Sequence, residues 1–138
     1  MEKPLRTQCQ TCFHSTLNLL FSIMVKLEAK SLMREGGVAT TVINIYEVAY
    51  GVNRGMSSPG RRISEFEKLV SNLDVFNLDY RAAIKAAEIS GNLDKGGYSI
   101  DPFDSLIAAI IMVNGGECIV TRNTSHFEKI KELKTEAH

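Results

Sequence analysis

Ile100-Asp101-Pro102-Phe103-Asp104-Ser105-Leu106-Ile107-Ala108-Ala109-Ile110 reads as the start of a helix with two acids at its mouth and an apolar body behind them. Asp101 suits the N-cap, and Pro102 suits the first helical position, where its missing N–H costs nothing. Asp104 falls three residues past the cap, near the positive end of the helix dipole. Leu106, Ile107, Ile110 and Ile111 give an almost all-round apolar surface, which predicts a central, buried helix. Acids held at the edge of a core on a rigid element suit a metal site or a general acid or base. Asp-Pro-x-Asp is equally a good capping sequence without chemistry, and Asp101 alone is explained by capping.

Working outward, helices and strands alternate. A helix is predicted from Ser15 or Thr16 to about Glu35, ended by Gly36-Gly37. Val38–Val42 reads as a short strand and Ile43 to about Asn53 as a helix carrying Glu47. Arg54–Gly60 reads as a loop and Arg61–Leu73 as an amphipathic helix. Val75–Leu78 is a predicted strand, and Asp79 caps a helix that Gly96-Gly97 ends. The central helix stops at Asn114-Gly115-Gly116. Cys118–Thr121 is a predicted strand, Thr124–Ile130 a short helix and Lys134–Glu136 an edge strand. This alternation predicts an α/β domain with a mostly parallel central sheet and right-handed crossovers. Residues 1 to about 14 show no clear pattern.

The 138 residues suit one domain, 44% hydrophobic and 23% charged. Sixteen basic and 16 acidic residues cancel, so composition gives no sign of a strongly basic nucleic-acid binder, although a local patch or a metal ion can supply positive charge. Three cysteines, Cys9, Cys12 and Cys118, argue against a disulfide framework. Cys9-Gln10-Thr11-Cys12 has the spacing of a zinc or redox motif, but no second pair follows to complete four ligands. Leu17–Val25 is too short to span a bilayer, and Lys3 and Arg6 before it are not followed by a clear signal-peptide cleavage site. A cytoplasmic protein without a membrane anchor is the expectation.

Three junctions collect polar groups. Glu47 follows one strand, Asp101 and Asp104 open the central helix, and Thr121-Arg122-Asn123 ends another strand. The carboxyl ends of parallel strands lie along one edge of the sheet. Carboxylates gathered there repel unless a cation lies between them. Mg²⁺ and Mn²⁺ favour such oxygen ligands, lower the pKa of bound water and stabilise in-line attack on phosphorus. Glu47 also has a plain reading as a solvated helix residue.

Ala39-Thr40-Thr41-Val42-Ile43-Asn44-Ile45-Tyr46-Glu47, Asp104-Ser105-Leu106-Ile107-Ala108-Ala109 and Val120-Thr121-Arg122-Asn123-Thr124-Ser125-His126-Phe127 together resemble successive signatures of the PIN domain, most closely the VapC-type toxins of toxin–antitoxin pairs. The resemblance covers about Lys26 to Glu136. It implies a three-layer α/β/α fold and a Mg²⁺- or Mn²⁺-dependent endoribonuclease. Glu47 and Asp104 then match the metal-binding, catalytic acids, and Asn123 falls where the family often has a further acid and sometimes Asn. By the same resemblance, Thr121 and Asn123 help position metal-bound water or phosphate, and Asp101 is an auxiliary acid or simply the cap. His126 stands where many relatives have Asp before Phe, and reads as a surface-structural residue. An RNA substrate, a VapB-like antitoxin and a homodimer are the implied partners.

The resemblance fades at about residue 25. The family opens with an apolar strand ending in Asp, a principal metal ligand, yet the first Asp of this chain is Asp74. The expectation is an atypical segment over 1–25, consistent with an altered reading frame or a divergent start, and a first strand that is missing or irregular. Loss of one carboxylate predicts weakened metal binding and impaired catalysis. The alternatives are a catalytically inactive PIN domain that binds an antitoxin or a second copy of itself, and an unrelated small α/β domain.

Overall fold

A computed structural model of the chain describes residues 8–10, 38–55, 57–71, 73–121 and 123–137. In chain order the elements are β1 (Gln8–Gln10), β2 (Val38–Thr41), α1 (Val42–Gly55), α2 (Pro59–Val70), β3 (Asp74–Phe76), α3 (Tyr80–Lys95), α4 (Pro102–Val113), β4 (Cys118–Thr121), α5 (Thr124–Phe127) and β5 (Lys134–Ala137). The five strands form one parallel sheet in the order β3-β2-β1-β4-β5. The helix expected over about 15–35 and the Cys12 end of the Cys-x-x-Cys motif lie outside the described residues.

The expectation for the first strand is corrected. Gln8–Gln10 is a strand, and it occupies the centre of the sheet. Gln8 and Cys9 pair with Val38 and Ala39 on one side, and Gln8, Cys9 and Gln10 pair with Cys118, Ile119 and Val120 on the other. Main-chain ladders on both flanks hold it, and these need no apolar alternation of its own side chains.

From β2 the chain moves outward to β3, and from β3 it crosses back past β1 to β4. Right-handed crossovers therefore place α1–α2 and α3–α4 on opposite faces, giving three layers. Two separate cores among the described residues agree with this. One joins Val48 and Val52 of α1 to Phe66 of α2. The other joins α3 and α4 to Ile119, Phe127, Ile130 and Leu133. Within α4, Ile107, Ala108, Ala109, Ile110 and Ile111 are fully buried, as a helix apolar on nearly all sides must be. Burial of each isoleucine stabilises the fold by roughly 1.5–3 kcal/mol.

The boundaries follow capping chemistry. Asp79 accepts from the Ala82 N–H at 2.8 Å and Asp101 from the Phe103 N–H at 2.8 Å, with Pro102 opening α4. Both α3 and α4 end in a Schellman motif. Tyr98 N–H donates to Leu93 O and Gly97 N–H to Asp94 O; likewise Gly116 N–H donates to Ile111 O and Gly115 N–H to Met112 O. Gly97 and Gly115 take the left-handed conformations these ends require, at φ +79° and +81°. Several predicted limits shift by one to three residues, among them the end of α2, at Val70 rather than Leu73, and β3, over Asp74–Phe76 rather than Val75–Leu78. Pro59 rather than Arg61 opens α2, because proline suits a first helical turn. The last helix stops at Phe127, short of Ile130, and the last strand extends to Ala137.

Candidate active site

Parallel strands bring the ends of β2 and β4 to one edge, and α1 and α5 leave from that edge. Helix α4 ends just before β4 begins, so it runs against the strands and its N-terminus returns to the same edge. The edge therefore receives Thr41, Asn44 and Glu47 from β2–α1, Asp101 and Asp104 from α4, and Thr121, Asn123 and His126 from β4–α5.

Asp104 is the buried acid of this edge, with 1% of its surface exposed. Its Oδ2 lies 2.7 Å from Nδ1 of His126. With a carboxylate oxygen as the acceptor, the Nδ1–H is the donor of this bond. His126 was expected as a surface-structural residue, and the structure gives it a partner, the buried acid. Its side chain is partly exposed, but one ring nitrogen is anchored on the buried acid. The anchor is built by Phe127, fully buried beside it, which sets the short helix α5 against the core. On its outer side His126 borders a cavity of about 180 Å³ shared with Asp101, Ser125 and Lys129.

Glu47 sits on the second turn of α1, half-buried. The Tyr46 ring meets the Phe103 ring edge-on, with centroids 5.7 Å apart. That contact places the turn bearing Glu47 beside the turn bearing Asp104. Asp101 is exposed and spends one oxygen on the Phe103 N–H, which is the capping role. Thr121 is buried, and its Oγ1 accepts from the Asn123 N–H at 3.0 Å, holding the turn that leaves β4. The Asn123 side chain makes no cap hydrogen bond to α5.

Two residues that sequence reasoning passed over belong to the same edge. Thr41 Oγ1 donates to Asn44 Oδ1 at 2.5 Å and accepts from the Asn44 N–H at 3.3 Å. Thr41 thus caps α1, accepting from the third helical N–H, a signal present in the sequence. Both residues are buried, and Asn44 Nδ2 has no hydrogen-bond partner among the described residues.

These donors bear on whether a metal ion suits the site. Among the described residues, no three of His, Cys, Asp and Glu come together as a metal-binding group. The central strand ends Gln8-Cys9-Gln10, without a carboxylate. A tightly held resident ion therefore does not fit the described residues. Two carboxylates on adjoining helix turns suit at most a loosely held Mg²⁺ or Mn²⁺ that keeps most of its waters. The unpartnered Asn44 amide is a donor and suits an anionic oxygen or a water, not a cation.

A family model described as the PIN domain matches residues 22–133. The chain belongs to the PIN domain family. Its relatives place it with the VapC-type toxins. The tRNA(fMet)-specific endonuclease VapC of Shigella flexneri is 32% identical over 104 residues, covering 75% of this chain and 77% of the relative. The protein of the same name from Salmonella typhimurium is 31% identical over 94 residues, covering 68% of this chain and 70% of the relative. In fold, the chain is similar to DNA-bound VapBC from Salmonella typhimurium, with a TM-score of 0.77 and 24% identity over 94% of this chain and 97% of that one. VapBC2 from Rickettsia felis, bound to a promoter DNA fragment, gives 0.76 and 20% identity over 95% and 98%. The family match begins at residue 22, so β1 lies upstream of it. Among the described residues of this PIN domain, no helix is long and apolar enough to cross a membrane.

Proposed function

We propose that this PIN domain is a VapC-type endoribonuclease that cleaves phosphodiester bonds in RNA at the edge formed by Glu47, Asp104 and Asn123. The observation that carries the reading is Asp104, an acid held almost wholly out of water at the mouth of α4, beside the turn that bears Glu47. Burying a carboxylate there is costly unless it is paired, and capping does not require it, since Asp101 already caps the helix. Glu47 and Asp104 would hold a Mg²⁺ or Mn²⁺ ion, which when bound supplies an activated water and charge neutralisation at phosphorus. With no carboxylate on β1, that ion is held weakly and catalysis is impaired. Asn44 and Asn123 offer polar contacts for phosphate or water at the same edge. The curated relatives are named for cleavage of a transfer RNA, which makes transfer RNA the first substrate to try. A VapB-like antitoxin, homodimeric assembly and a cytoplasmic location complete the reading; the VapBC complexes of like fold support the antitoxin.

A second reading is a catalytically inactive domain retained for antitoxin binding or self-association. Two observations favour it: the missing acid of β1, and the occupation of Asp104 by His126. Incubation of the folded chain with transfer RNA over a Mn²⁺ series, with an EDTA control, separates the two. Cleavage that rises without saturating until high Mn²⁺ supports the impaired enzyme. No cleavage at any metal concentration, with the chain folded, supports the inactive domain.

A further inference from the structure

Tyr46, Tyr50 and Arg54 stand at i, i+4 and i+8 on α1, one above another on a single face. Tyr46 and Tyr50 are 52% and 53% exposed, and Phe103 is 39% exposed. The two tyrosine rings stack with centroids 6.0 Å apart and 19° between their planes, and Phe103 closes the row edge-on against Tyr46. None of the three rings belongs to either core. They form a continuous aromatic row that stays in contact with water. One end of the row flanks both candidate acids, since Tyr46 precedes Glu47 and Phe103 precedes Asp104. The other end finishes in the exposed guanidinium of Arg54, roughly 12 Å along the helix from Tyr46.

We propose that Phe103, Tyr46, Tyr50 and Arg54 form a stacking track that seats unpaired bases of single-stranded RNA beside Glu47 and Asp104. The proposal rests on the ribonuclease reading and adds the way in which substrate is positioned. Ring faces accept any base, and a guanidinium pairs with the phosphate that follows. The open ring faces suit flat bases, and Arg54 at the far end of the row supplies the positive charge that a phosphodiester backbone needs. The four residues position substrate without touching the reacting atoms. The track predicts tolerance of base identity, with preference for unpaired over paired segments.

The chain has no tryptophan, so Tyr50→Trp introduces a sole indole reporter on the track. Short oligoadenylate is titrated in EDTA, where binding is read without cleavage, and inorganic triphosphate serves as a probe with phosphates but no base. The expected results are indole quenching by oligoadenylate and none by triphosphate. Tyr46→Ala and Tyr50→Ala should each weaken RNA binding by about 5- to 150-fold. Tyr46→Phe, which keeps the ring, should bind like the parent chain. Alanine variants that bind RNA as tightly as a parent chain that does bind would overturn the track and leave the ribonuclease reading standing. Indole changes that follow protein concentration alone, with a doubling of mass, would also overturn it, by assigning the face to a second copy. A folded parent chain that binds no RNA would overturn both.

Discussion

Replacing His126 by alanine removes the hydrogen bond that holds Asp104 at the site edge. The bond is 2.7 Å long, and its acceptor is an acid only 1% exposed. A hydrogen bond to a charged group contributes about 1.5–3 kcal/mol. The His126 side chain is 39% exposed, so its removal opens a path by which water rehydrates Oδ2. That places the loss towards the lower end, at about 1.5–2 kcal/mol. Unfolding entropy near 2.1 cal/mol/K per residue gives roughly 0.29 kcal/mol/K for a chain of this size, so the melting temperature should fall by about 5–7 °C. Urea denaturation in metal-free buffer measures the free energy, with Ser125→Ala as a control on the same short helix. His126→Asn, whose amide nitrogen comes close to the position of Nδ1, should retain part of the stability. If His126→Ala matches Ser125→Ala within about 0.5 kcal/mol, which is the ordinary scatter of surface substitutions, the pair does not hold the site and the reasoning fails.

Gly115→Ala forces a side chain into φ +81° with open space around it, so the loss of about 1–2 kcal/mol is backbone strain alone, and Gly115→Asn should lose less. Gly116→Ala sets a Cβ 2.4 Å from Ile111 Cγ2 and 3.0 Å from the Ile111 carbonyl oxygen; a further loss of about 1–3 kcal/mol in urea unfolding is expected, since the carbonyl cannot move aside. The Ala82 N–H, and then Arg81, hold the Asp79 carboxyl below its ordinary value of 3.8. A depressed folded-state pKa gives stability that is present above the unfolded value and lost as pH falls through the folded one. The stability advantage of the parent chain over Asp79→Asn should therefore shrink below about pH 4, as read from urea midpoints across that range; a constant difference would contradict the assignment.

Much of the fold was legible because its signals are local. The Asp-Pro opening of α4, its run of isoleucine and alanine, and the Gly-Gly ends of α3 and α4 each act within a few residues. The order of strands and helices follows from those signals. β1 was not legible, because Gln8-Cys9-Gln10 has no periodicity and is a strand only through main-chain bonds to β2 and β4. The candidate acids were legible from their places at strand and helix ends, and their hydrogen-bond partners were not. His126 meets Asp104 across 22 residues of sequence, and no spacing rule reaches that far. Thr41 carried an N-cap signal, which the apolar surroundings on the strand and helix obscured. The aromatic row on α1 has the i, i+4 spacing that usually marks a buried face, and only its exposure shows that it is not one.

The central claim is that Asp104 is the acid on which RNA cleavage depends. Its most direct test is the rate of transfer-RNA cleavage at high Mn²⁺ by the parent chain and by Asp104→Asn, which keeps the shape and removes the charge. Slow, EDTA-sensitive cleavage by the parent chain and a loss of roughly 100-fold or more in the variant are expected. Equal rates in the two proteins, or a folded parent chain that leaves the RNA intact, would contradict that claim.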